Sequence, residues 1–87
     1  MTLVADIDHI EPPVVPEGAP VSLSSAAPGL WRVLERSGRV IGHIQARAAD
    51  HDLRYRARRY HAGSRAFRDL GEFWSVADAI DCLRFAR

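Results

Sequence analysis

From residue 30 onward, apolar and polar residues alternate along most of the chain, and the alternation divides it into short strands. The runs LWRVLER and RVIGHIQAR, separated by Ser37 and Gly38, predict a β-hairpin. A two-residue turn there sets Arg36 opposite Arg39, Leu34 opposite Ile41 and Arg32 opposite His43, because loop length fixes register. One face then carries Trp31, Val33, Val40, Gly42, Ile44 and Ala46, the expected core side. The other carries Arg32, Leu34, Arg36, Arg39, Ile41, His43, Gln45 and Arg47, a basic solvent face.

After a polar loop at residues 48–52, the segment LRYRARRY alternates Leu53, Tyr55 and Ala57 with Arg54, Arg56 and Arg58, which predicts a half-buried third strand. A turn over residues 61–64, with Gly63 supplying a positive φ, leads to a short fourth strand at residues 65–70. The period then changes. Val76, Ala79, Ile80 and Leu83 recur at the i, i+3, i+4, i+7 spacing of one helical face, with Ser75 as N-cap and Asp78 three residues on. The expected class is α+β: an antiparallel three- to four-stranded meander with one C-terminal helix packed on one face.

The first 29 residues read differently. All five prolines fall there, and residues 11–20 (EPPVVPEGAP) are unsuited to a helix or to a fully bonded strand. The same stretch holds Asp6, Asp8, Glu11 and Glu17 with no basic residue, a formal charge of −4, while residues 30–87 carry 12 arginines against 7 acids, or +5. Residues 1–29 are therefore expected to be an acidic, Pro-rich disordered arm, and residues 30–87 the domain. Within the arm, Leu3, Val4, Ile7 and Ile10 leave open docking on a partner or the addition of an edge strand.

The segment Leu70-Gly71-Glu72-Phe73-Trp74-Ser75, followed by Ala79 and Leu83, resembles the LG-x-F-x-[ST]-x-x-x-A-x-x-x-[YL] pattern of plant ethylene-response-factor DNA-binding domains. The sheet-plus-helix order is also similar to that of the arm-site-binding domains of tyrosine integrases. In those families the open face of an antiparallel sheet enters the DNA major groove with the helix behind it. The resemblance implies that the arginine face is the DNA face. It covers about 14 residues closely, and the shared positions are packing residues; the YRG-type opening of the plant domains is absent here, so no base-reading residue carries over.

A face bearing Arg32, Arg36, Arg39, His43, Arg47, Arg54, Arg56 and Arg58 suits phosphate and guanine recognition, and these eight are the candidate nucleic-acid-binding residues. The plainer reading, an ordinary solvated face, stays open, as does a protein-interaction or homo-oligomeric module that uses Phe85, Trp74 or the apolar start of the arm. The acidic arm is a further candidate to compete with phosphates for the arginines. Trp31, Tyr55, Phe67, Phe73 and Trp74 are expected at the core or its edge, whereas Tyr60 is free to stack on a base or shield an arginine.

Other chemistry finds little support. The single Cys82 excludes an internal disulfide and is expected as helix packing. The triplet Asp50-His51-Asp52 has no second ligand cluster, His9 and His61 have no evident partner, and no Gly-rich phosphate loop is present. The expectation is a non-enzymatic, cytoplasmic bacterial protein without cofactor, metal or small-molecule substrate. No stretch approaches a membrane span, and the acidic start is unlike a secretory leader.

Overall fold

The structure, a computed structural model, describes residues 13–49, 52–61 and 63–85. Five antiparallel strands form one sheet in sequence order: β1 (Val21–Ala27), β2 (Leu30–Glu35), β3 (Val40–Ala49), β4 (Asp52–His61) and β5 (Ala66–Phe73). One helix, α1 (Val76–Phe85), follows and packs on β3, β4 and β5. The class is thus α+β with a C-terminal helix, but the sheet is larger than the three or four strands expected.

The additional strand is β1, drawn from the segment expected to be arm. It pairs with β2 from Val21 opposite Glu35 to Ala27 opposite Leu30. Val21 and Leu23 pack against the core while Ser22 and Ser24 are exposed, the alternation of a half-buried strand. The connection is Pro28-Gly29. Proline presets the first central φ and Gly29 takes φ 71° at the second, which is the combination a type II turn requires. The apolar start of the arm, residues 3–10, lies outside the described residues.

The β2–β3 hairpin departs from the expected two-residue turn. Gly38 donates to the Glu35 carbonyl at 2.9 Å and Glu35 N–H to the Arg39 carbonyl at 2.9 Å, so the loop has three residues, 36–38, closed by Gly38 at φ 90°. Such a loop shifts register by one. A bulge at Ile41 restores it, because Leu34 pairs with Val40 but Val33 pairs with Gly42. Arg32 consequently faces His43 as expected, whereas Leu34 does not face Ile41. Ile41 packs against the core, and Val40, expected in the core, is 43% exposed.

Further along, β3 and β4 extend to pair Ala49 with Asp52, so most of the expected 48–52 loop is ladder; Asp50 and His51 lie outside the described residues. In the β4–β5 connection Arg65 takes a positive φ, 53°. The last strand is also longer than expected, reaching Phe73.

The core lies between sheet and helix. Trp31, Val33, Ile44, Ala46 and Ala57 meet Ala79, Ile80 and Leu83, with Tyr55, Phe73 and Val76 at the edge. No polar side chain among the described residues is classed as buried. Ser75 caps α1, its hydroxyl accepting from Asp78 N–H at 3.1 Å, and Arg84 lies near Asp81 in the last turn. Cys82 is half-buried against the core. No helix of the described residues is long and apolar enough to cross a membrane.

Candidate nucleic-acid interface

The helix covers one face of the sheet and leaves the other open. Side-chain alternation sends Arg32 of β2, His43, Gln45 and Arg47 of β3, and Arg54, Arg56 and Arg58 of β4 to that open face. The ladder aligns them in rows: Arg32, His43 and Arg58 in one, Gln45 and Arg56 in the next, Arg47 and Arg54 in the third. Of the eight sequence-derived candidates, six therefore share one face. Arg36 and Arg39 stand apart, exposed at the β2–β3 turn at one end of the sheet.

Two carboxylates join these arginines. Asp69 and Glu72 are three apart in β5, a spacing that would put them on opposite faces of a regular strand. A bulge at Leu70 changes this: Arg58 pairs with Asp69 and Ala57 with Gly71, leaving Leu70 as the extra residue, packed against the core. Both acids thus face the arginines. Arg47 reaches Glu72 at 2.9 Å, Arg56 lies 3.3 Å from Glu72 and 3.6 Å from Asp69, and Arg58 meets Asp69 at 2.8 Å. Arg58 also donates to the Gln45 side-chain oxygen at 3.0 Å. The Glu72 carboxyl is held below its ordinary range, first by the Arg47 hydrogen bond, against an opposing effect of partial burial, and further by Arg56.

The ion-pair ladder holds Arg47, Arg56 and Arg58 upright but lowers the potential they project. Exposed pairs of this kind are individually weak, and an incoming phosphate competes with them on similar terms. Arg32 is engaged differently, donating to the Ser25 carbonyl of β1 at 3.0 Å. Arg54 stacks its guanidinium 3.4 Å from the centroid of the Trp74 ring.

Aromatic rings are the second component of the face. Phe67 and Trp74, expected at the core or its edge, are 39% and 62% exposed and stand among the arginines. Phe67 meets Tyr60 at 5.4 Å and the edge of His43 at 5.0 Å, with the Arg58 guanidinium 4.9 Å above its ring. The signal for Phe67 was its alternation with Asp69, opposite Tyr60 and Arg58; it is visible only once the Leu70 bulge is known. The imidazole of His43 is held below its ordinary pKa, first by burial and then by Arg32 and Arg58. Two buried side-chain atoms among the described residues lack a hydrogen-bond partner, His43 Nδ1 and Arg54 Nε, and both belong to this face.

Arg59 follows the opposite alternation and was not among the candidates. It passes to the helix side and donates to the Leu83 carbonyl at 2.7 Å, where it complements the negative end of α1. Among the described residues no group of three or more His, Cys, Asp or Glu is placed to hold a metal ion. Comparisons with family models, curated proteins and solved structures found no match to this chain.

Proposed function

We propose that the chain is a non-enzymatic nucleic-acid-binding domain that presents its open sheet face to double-stranded DNA. The observation that carries this reading is the gathering of Arg32, Arg47, Arg54, Arg56 and Arg58 on the face that α1 leaves uncovered, interleaved with the exposed rings of Tyr60, Phe67 and Trp74. Arginine in a fixed strand forks onto phosphate or onto the guanine edge, and a sheet face set in the major groove brings several such forks to one duplex. Arg36 and Arg39, at the exposed β2–β3 turn, extend the footprint to the flanking backbone.

The test is a titration with a short duplex at two salt concentrations, followed by amide shifts. Binding that weakens steeply with salt, with shifts at Arg32, Arg54 and Arg56 but not at Val76, Ile80 or Leu83, supports the reading. Absence of any salt-sensitive association with DNA or RNA removes it.

A second reading has its own observation. A groove of about 840 Å³ runs between the end of α1 and the β2–β3 hairpin, lined by Ile41, Leu83 and Phe85 with Arg36, Arg39 and Arg84 at its rim. Phe85 is 66% exposed there. A protein contact at this end of the molecule predicts association that competitor DNA leaves unchanged and that Phe85→Ser abolishes.

A further inference from the structure

β3 and β4 are paired only from His43 opposite Arg58 onward; before that point Val40–Ile41 and Arg59–Tyr60 diverge. The divergence leaves a recess of about 440 Å³, lined by Arg32, His43, Ile41, Tyr60 and Phe67 among others. Its walls are more apolar than polar, with a few polar groups among them. We infer that the recess accommodates a single unstacked nucleobase, so that the open face selects single-stranded or locally opened nucleic acid over an intact duplex. The inference rests on the nucleic-acid reading of the open face but departs from its duplex form, putting a single-stranded or opened polymer in place of the intact duplex as the preferred ligand.

The geometry of the walls supports it. Tyr60 and Phe67 are about half exposed, and their ring planes meet at 69°, forming a corner. A planar base laid on one ring presents its edge to the other, so both preferred aromatic arrangements are met by one ligand. The mouth is basic. Arg32 lies at one side and Arg58 over Phe67 at another, which places guanidinium groups where the attached phosphates must run.

His43 is one of the polar residues that line the recess. His43 Nδ1 is buried and makes no hydrogen bond, so its desolvation is uncompensated in the free protein. Because burial and the two arginines disfavour the imidazolium, the ring keeps one donor and one acceptor nitrogen, the complement of a base edge that also offers both.

The experiment compares a ten-nucleotide oligothymidylate, an abasic oligonucleotide of the same length and a ten-base-pair duplex, each titrated against the full chain and its Phe67→Leu variant. Leucine keeps an apolar contact but removes the stacking face, and the exposure of Phe67 makes the change tolerable to the fold; unchanged amide shifts of α1 verify this. The expected result is tighter binding of the oligothymidylate than of either competitor, and a loss of about tenfold for that ligand alone in Phe67→Leu. Duplex binding with no preference for the single strand, or an oligothymidylate affinity indifferent to Phe67→Leu, overturns the recess while leaving the nucleic-acid reading in place. No binding of any of the three overturns both.

Discussion

Leu83 of α1 lies directly against Gly42 of β3: a Cβ built on Gly42 would overlap the Leu83 side chain and come within 3.0 Å of the Arg58 carbonyl oxygen. Leu83 is 2% exposed, so the contact is at the centre of the helix–sheet interface. The leucine methyls can shift, but the strand carbonyl cannot. Gly42→Ala is therefore expected to destabilise the domain by about 1–3 kcal/mol through overpacking. Leu83→Ala is expected to cost about 2–5 kcal/mol through the cavity it leaves. The double variant should lose less than the two single losses combined, because the alanine methyl occupies part of that cavity. Urea unfolding of the four proteins measures all three quantities.

Arg59 ties the same turn of the helix to β4. Its 2.7 Å hydrogen bond to the Leu83 carbonyl satisfies one of the acceptors that a helix end leaves open, and its charge suits the negative pole. Arg59→Gln should lower stability by about 1 kcal/mol and speed hydrogen exchange in the last turn of α1 more than in its first. Equal acceleration along the whole helix would show that Arg59 acts elsewhere.

These two contacts differ in how far the chain announces them. The helix was legible because Val76, Ala79, Ile80 and Leu83 keep one period throughout, and its cap was legible because Ser75 stands at the boundary. Six arginine-face candidates were likewise legible, since period-two alternation survives from Arg32 to Arg47 once His43 is placed opposite Arg32. What failed was everything that depends on an extra residue in a strand. The bulge at Ile41 exchanged the environments of Val40 and Ile41, and the bulge at Leu70 brought Asp69 and Glu72 to one face. No periodicity encodes a bulge, because a single inserted residue is chosen by turn geometry and by long-range pairing. β1 was hidden for another reason: Val21 and Leu23 alternate properly with serines, but prolines frame the segment on both sides. Pro28 belongs to the turn and needs no ladder hydrogen bond, so it never opposed the strand.

The environment of His43 predicts a pH dependence of stability. Its imidazole titrates below the ordinary value of 6.5, first because of burial and then because Arg32 and Arg58 repel a further positive charge. In the unfolded chain that proton binds at the ordinary value. Between the two values the unfolded state holds more protons, so stability rises with pH across that window and is lost as pH falls below about 6.5. The urea midpoint should accordingly decline from pH 7 toward pH 5, and His43→Asn should flatten that decline. A midpoint equally steep in both proteins would assign the effect to other groups.

Glu72 decides how much of the positive charge on the open face is available to a ligand. Its carboxylate accepts from Arg47 and Arg56 together, and its depressed pKa shows that both contacts favour the ionised form. Glu72→Gln removes the charge and keeps the shape, releasing Arg47 and leaving Arg56 with Asp69 alone, so that both guanidinium groups are more available to phosphate. If the face binds nucleic acid, this variant should bind a few-fold more tightly at low salt, with a steeper dependence on salt because more counterions are displaced. A purely structural face predicts the reverse pattern: a lower urea midpoint and no gain in binding. Gel shift of a short oligonucleotide with the wild-type and Glu72→Gln proteins at two ionic strengths, alongside their urea midpoints, separates the two outcomes. Acid titration supplies a check, because binding in the wild-type protein should strengthen as Glu72 is protonated below its ordinary range, and the variant should lack that step.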